Sequence, residues 1–305
     1  MQAIKASEIW FRQWLLPELQ EKLPEVLPLL AAGVAGRGSE CFGYDDDISR
    51  DHDISRTVTL WLQEKDDAQY GFKLTRIYND VCKASSAELP PEQESRLGNS
   101  ERGVVLIEDF FLRHLGYSHV PQSWQEWLYT PEYAVAECVN GKIFHDGSGV
   151  FSKMREHIRH GMPEDVRIKK LAARAVMMAQ SGQYNYMRCL KHGEAGAAAL
   201  ALGEFVKNGL SMVFLLNFSF APYYKWAFRA MRELPTLGYL AAEFEKLFSA
   251  EDKEQLIEHI CAQIISELKN QGLSELDDDY LEPHAFALMS KIRSQELRTL
   301  HVMEG

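Results

Sequence analysis

The chain has 305 residues, 46% hydrophobic and 25% charged, which is the balance of a soluble globular protein with room for one large domain or two. Its formal net charge of −11 argues against sequence-independent binding to long nucleic acids, which needs a basic surface to displace counterions, but leaves room for a nucleotide handled by a local cluster. The five cysteines (Cys41, Cys82, Cys138, Cys189, Cys261) are scattered without a CxxC pair, which gives no sign of a zinc site or disulfide frame and fits reduced thiols in a cytoplasm.

In chain order, Ile9, Trp10, Trp14, Leu15, Leu19 and Leu23 recur at helical spacing, with Pro17, Pro24 and Pro28 breaking the run. This start is amphipathic and lacks the basic opening and continuous apolar core of a signal peptide. Leu29 to Gly36 reads as a short buried strand leading into a Gly-Ser turn, and a second strand runs to about Leu62. A polar turn at Lys65-Asp66-Asp67 then precedes a helix expected over Leu74–Lys83. Ser85 to Asn99, rich in Pro, Ser and Glu, is a loop. Gly103 to Ile107 is an apolar β run, and Glu108 opens a helix ending at Gly116. Ser123 caps a Trp-rich helix, and Ala134–Val139, strand-like in pattern, precedes a glycine turn and a strand over Gly141–Asp146.

Near Gly149 the character changes. From there strand patterns vanish, and helices are expected at about 150–160, 163–182, 193–217, 222–234, 236–248, 251–271 and 281–300. The most apolar stretch, Ala195 to Phe220, is interrupted by Glu204, Lys207 and Asn217, which argues against a membrane span. The expected organisation is α+β: a mixed α/β domain over 1–150 and an all-helical domain over 151–305. The expected location is cytoplasmic.

One stretch carries chemistry. Gly38-Ser39 is followed after eleven residues by Asp51-x-Asp53, with an apolar strand before and the β-rich run Thr57–Leu62 after. A turn that exposes amides beside a serine can hold phosphate oxygens. Two aspartates one residue apart on a strand share a face, and converging carboxylates call for a hard cation such as Mg²⁺ between them. Arg50 and His52 would then point away from that face. The neighbouring Asp45-Asp46-Asp47 reads as loop surface, since it lacks the alternation and glycine of a calcium loop.

The order Gly38-Ser39 … Ser49-Arg50-Asp51-His52-Asp53 resembles the nucleotidyltransferase superfamily of DNA polymerase β type, in particular its minimal and antibiotic-modifying members. A nearer resemblance is to an uncharacterised bacterial domain-of-unknown-function family. It rests on Gly38-Ser39-Glu40-Cys41, Trp127-Leu128…Pro131-Glu132, Gly141…Phe144-His145-Asp146, Gly182-Gln183-Tyr184-Asn185…Arg188 and Leu216-Asn217…Pro222-Tyr223-Tyr224-Lys225-Trp226, and covers about residues 30–235.

The resemblance implies a nucleotidyltransferase-like N-terminal domain with a helical domain completing the cleft. It implies that Gly38 and Ser39 hold the β/γ-phosphates of ATP or another nucleoside triphosphate, and that Asp51 and Asp53 bind Mg²⁺ or Mn²⁺. A third carboxylate on a neighbouring strand is expected as metal ligand or general base, with Glu137 the first candidate, then Glu108 and Asp146. Each of the three could instead be a surface or capping carboxylate. Lys225 and Arg188, with Asn185, are candidates for phosphate or base contacts from the helical half; hydrogen bonding between helices is the competing role. The preferred reading is transfer of AMP from ATP to a small-molecule or protein acceptor. Its rivals are a catalytically inactive nucleotide-binding sensor or antitoxin-like protein, and a glycosyltransferase whose Asp51-x-Asp53 grips a nucleotide-sugar.

Overall fold

The computed structural model describes residues 3–45, 58–86 and 102–305. They divide into two compact units, the first made of 1–121 and 134–161, the second of 122–133 and 162–305. The first unit therefore runs past residue 150 to Gly161, and 122–133 group with the helical half.

The first unit is built on a four-stranded mixed sheet of β1 (Ala31–Val34), β2 (Thr59–Leu62), β3 (Gly103–Leu106) and β4 (Lys142–Asp146), in the order β3-β2-β1-β4. β1 pairs antiparallel with β2 and β4, and β2 pairs parallel with β3. Pairing of Gly33 with Thr59, Thr59 with Gly103 and Val34 with Lys142 puts the end of β1 and the starts of β2, β3 and β4 at one edge of the strand ends.

Period two decides what each face buries. Ala32, Leu60 and Leu62 pack with Trp10, Phe11, Leu15 and Leu19 from the N-terminal helices and with Leu74, Tyr78 and Val81. These last three lie on α3 (Glu64–Ser86), and the N-terminal helices are α1 (Ala3–Trp10) and α2 (Leu16–Lys22). A π-helical turn, Phe11–Leu15, joins α1 and α2 just before Pro17, whose ring nitrogen cannot donate to the helical ladder. On the opposite face Trp61 stacks on Phe151 at 4.4 Å and meets Phe110 edge-on at 5.7 Å. Those rings come from α7 (Val150–His160) and α4 (Ile107–Leu115).

Two local expectations are corrected. The polar turn expected at 65–67 is the first turn of α3, because Asp66 and Asp67 suit the positive end of the helix dipole. The strand-like run at 134–139 is helix α6 (Glu132–Val139), which follows Pro131 and ends before Gly141, a residue with φ of +70°.

The second unit is all helical: α5 (Trp124–Tyr129), α8 (Glu164–Met178), α9 (Met187–Lys191), α10 (Ala195–Leu216), α11 (Tyr224–Met231), α12 (Leu240–Lys246), α13 (Lys253–Asn270), α14 (Leu281–Lys291) and α15 (Gln295–Thr299). α5 opens on the expected serine cap, with Ser123 and Glu126 forming a reciprocal capping box. α8 is the central helix, buried along nearly its whole length and packed by α10 and α14. Its buried cations are each satisfied: Lys169 donates to the carbonyls of His301 (2.9 Å), Val302 (3.2 Å) and Glu304, and Lys170 to the carbonyl of Leu128 at 2.8 Å. Among the described residues α10 alone is long and apolar enough to cross a membrane, and 67% of its apolar stretch is buried inside the protein.

Candidate functional site

The Gly-Ser turn leaves β1 at Val34 and is fixed by contacts from three later segments. The Asn140 side chain takes both backbone groups of Gly36, accepting its N–H at 3.0 Å and donating to its carbonyl at 2.6 Å. Gly36 has φ of +124°, a conformation glycine adopts without strain. Arg37 then reaches Glu137 Oε2 at 3.5 Å and the carbonyl of Arg113 at 3.1 Å. Gly38 is extended, and Ser39–Phe42 form one 3-10 turn closed by Gly43 in the left-handed region.

The carboxylate of Glu40 folds back over Gly38, so a Cβ at that position would collide with it. Arg102, just ahead of β3, meets Glu40 at 2.6 Å, with both side chains largely buried. A buried pair of this kind is costly to break and ties the turn to the sheet. Sequence reasoning passed over Arg102, Asn140 and the role of Glu40. The Asn140-Gly141 turn pair and the arginine opening an apolar β run were the available signals.

Glu137 and His114 form a second buried pair, His114 Nδ1 to Glu137 Oε2 at 3.0 Å, with Arg37 on the same oxygen. The last turn of α6 is held from below. Arg155 donates to the carbonyls of Val139 (3.0 Å) and Asn140, and Arg159 to Val139 at 2.7 Å. These guanidinium groups satisfy C-terminal carbonyls and oppose the negative end of the dipole. Burial, with the charge of Arg159 beside it, pushes Arg155 down to about 10, so it stays a cation at neutral pH.

The structure separates the three candidate third carboxylates by position. Glu137 precedes β4 and stands at the sheet end that carries the Gly-Ser turn, to which Arg37 joins it. Glu108 lies past the far end of β3 and accepts the backbone N–H of Glu64 at 3.3 Å. Asp146 ends β4 at that same far end, opposite Ala31, and caps α7 by accepting the N–H groups of Gly149 (2.8 Å) and Ser152 (2.7 Å). Topology therefore groups Glu137, but not Glu108 or Asp146, with Gly38 and Ser39.

Asp51 and Asp53, with Arg50 and His52, lie outside the described residues. Val58, where the described chain resumes, leads into β2 at the end of the sheet next to the Gly-Ser turn. Two aspartates supply hard oxygen donors of the kind that suit Mg²⁺. Among the described residues no group of three His, Cys, Asp or Glu side chains converges as a metal set, and one oxygen of Glu137 is already engaged by His114 and Arg37.

Lys225 and Arg188 belong to the second unit. Arg188, on α9, donates to the Tyr184 hydroxyl at 2.7 Å, and the ammonium of Lys225, on α11, lies 4.8 Å from the centre of the Trp226 ring. Both are exposed, and Asn185 is half-buried. Gln183 of the same block is a clamp: its amide donates to Glu258 (2.7 Å) and the carbonyl of Asp279 (3.0 Å) and accepts the N–H of Leu281 at 2.9 Å.

Comparison with known proteins adds two likenesses. A family model described as "Domain of unknown function (DUF4037)" matches residues 127–227. Among solved structures, the chain is similar to a nucleotidyltransferase-like protein from Exiguobacterium sibiricum, at 13% identity and a TM-score of 0.38, over 92% of this chain and 81% of that one. No curated protein matches the chain. The chain is thus an α+β protein, a mixed four-stranded sheet with flanking helices followed by an all-helical unit, that resembles a family of unknown function over residues 127–227, which take in β4 and α7 of the first unit and the early helices of the second.

Proposed function

We propose that the protein is a Mg²⁺-dependent nucleotidyltransferase that moves AMP from ATP to a small-molecule or protein acceptor. The observation that carries this reading is topological. The Gly38-Ser39 turn, the start of β2 just after the Asp51-x-Asp53 segment, and Glu137 belong to one end of one sheet. Gly38 and Ser39 are the groups for the β/γ-phosphates, in a turn held by Asn140 and Arg102. Asp51 and Asp53 are the residues that would hold Mg²⁺ or Mn²⁺, whose charge favours attack of an acceptor oxygen or nitrogen on the α-phosphorus as pyrophosphate leaves. Glu137, oriented by His114, is the proposed acid–base group that would take the acceptor's proton.

A second reading, nucleotide binding without turnover, is favoured by the hold that His114 and Arg37 keep on Glu137. The Asp51→Asn/Asp53→Asn double variant is expected to lose both Mg²⁺-dependent ATP binding and pyrophosphate release. Unchanged ATP affinity in that variant would sink the metal-site assignment. Wild-type binding of ATP·Mg²⁺ with no pyrophosphate release across a broad set of acceptors would favour the second reading.

A further inference from the structure

Arg37 sits one residue ahead of the Gly38-Ser39 turn, and its backbone is fixed from both sides. The Asn140 amide holds both polar groups of Gly36, and Gly38 is extended before the 3-10 turn that opens at Ser39. Its side chain is 62% exposed. The guanidinium donates to the carbonyl of Arg113 at 3.1 Å and reaches Glu137 Oε2 at 3.5 Å, beyond the usual range of an N–H···O bond. His114 Nδ1, on that same oxygen at 3.0 Å, is buried. The Glu137 carboxylate is therefore fixed from inside by His114 and covered on its solvent side by Arg37.

Other cations at this end of the sheet are committed at closer range. Arg102 meets Glu40 at 2.6 Å, Lys142 meets Glu8 at 2.6 Å, and Arg159 donates to the carbonyl of Val139 at 2.7 Å. A long ion contact made by an exposed guanidinium contributes little, because water screens it and the side chain loses freedom to make it. The same guanidinium forked onto phosphate oxygens makes shorter, charge-assisted bonds. On a chain with a net charge of −11, a polyphosphate held in the Gly38-Ser39 turn calls for a cation at the turn itself.

We propose that Arg37 is a triphosphate-binding residue that changes partner: it lies on Glu137 in the nucleotide-free chain and moves to the β/γ-phosphates when ATP binds, which uncovers the Glu137 carboxylate. The inference rests on the reading of Gly38-Ser39 as the phosphate turn. The exchange sets an order of events. Before the nucleotide arrives, the carboxylate that would take the acceptor's proton is covered. Once Arg37 has moved, that carboxylate can accept the proton as the acceptor oxygen or nitrogen bonds to the α-phosphorus. The bridging P–O bond between the α- and β-phosphorus then breaks, and its electron pair leaves with pyrophosphate. Contact between Arg37 and Glu137 is thus the resting half of a cycle.

Isothermal titration of the full chain with ATP and with AMP, each with Mg²⁺, tests the exchange, because AMP lacks the phosphates that Arg37 would hold. Arg37→Gln is expected to bind ATP at least about tenfold more weakly, the usual loss for one hydrogen bond to a charged group, and AMP within about twofold of the wild type. Arg37→Lys, which keeps the charge and loses the fork, should fall between. Lys22→Gln removes an exposed cation of α2 and should alter neither affinity. Unchanged ATP affinity in Arg37→Gln, or equal losses for ATP and AMP, would leave Arg37 as a support for Glu137 and overturn the proposal. Absence of ATP binding by the wild type would overturn it together with the nucleotide reading. Loss of ATP affinity in Arg37→Gln but not in Asp51→Asn/Asp53→Asn would keep Arg37 and remove the metal site, and the reverse would keep the metal site and remove Arg37.

Discussion

Asn140 and Gly36 are joined by two hydrogen bonds, one in each direction, across 104 residues of sequence. One side-chain amide thereby satisfies both polar groups of a backbone unit that has left β1 and has no strand partner there. Asn140→Ala leaves a largely buried N–H and C=O without these partners, and a cost of about 2–4 kcal/mol is expected. Urea denaturation measures it. The turn should loosen as well, so ATP affinity is expected to fall with stability, and Asn140→Asp, which retains the acceptor but not the donor, should fall between.

Arg102 and Glu40 present the same logic with charges. Arg102→Met removes this cation's contact with the largely buried Glu40 carboxylate, and a loss of up to about 3–5 kcal/mol is expected. Combining it with Glu40→Gln removes the buried negative charge that Arg102 opposes, so the double variant should be more stable than Arg102→Met alone. A strictly additive double-mutant cycle would show that the two side chains do not cooperate in holding the turn.

Glu137→Gln separates chemistry from support. If Glu137 takes the acceptor's proton, pyrophosphate release should fall by about a hundredfold or more while ATP·Mg²⁺ affinity changes little. Asp146→Asn, at the far end of the sheet, is expected to lower stability through its lost α7 cap by about 1 kcal/mol and to leave the ratio of turnover to bound nucleotide unchanged. Equal losses of turnover in the two variants would remove Glu137 from the site.

The helical unit carries a pH signature. Burial pushes Lys169 and Lys170 down to about 8 from the ordinary 10.5. With the folded value below the unfolded one, the unfolded chain binds more protons between these limits, so each lysine opposes folding below pH 8. That opposition fades as pH rises from about 8 toward 10.5. Denaturation midpoints are expected to rise over that window more in the wild type than in Lys169→Met/Lys170→Met. The measurement is best made below pH 10, where Tyr186 and Tyr280, both raised by burial, stay neutral.

Much of the framework was legible in the residues. Helical periodicity gave α7 to the residue and α10, α11 and α13 within a few, because an apolar stripe every three or four residues suits no other structure. β1, β3 and β4 were found from short apolar or alternating runs bounded by glycine. The helix over Ala134–Val139 was read as strand-like because six residues with two valines fit either period. α3 began ten residues early because Asp66 and Asp67, taken as turn residues, stabilise a helix start.

The sequence by itself determined that an α+β chain carries a Gly-Ser turn spaced before an aspartate pair, since these are matters of local pattern and order. Only the tertiary structure decided which carboxylate shares the turn's end of the sheet. Strand direction, set by long-range pairing, sends Glu108 and Asp146 to one end and Glu137 to the other. It also decided that Glu40, in sequence only one letter of the Gly38–Cys41 block, lies over Gly38 against Arg102, and that Phe218 caps α10 with a positive φ, exposed and beside Arg167. Such relationships join residues tens to hundreds of positions apart or depend on a backbone angle. Local spacing encodes neither.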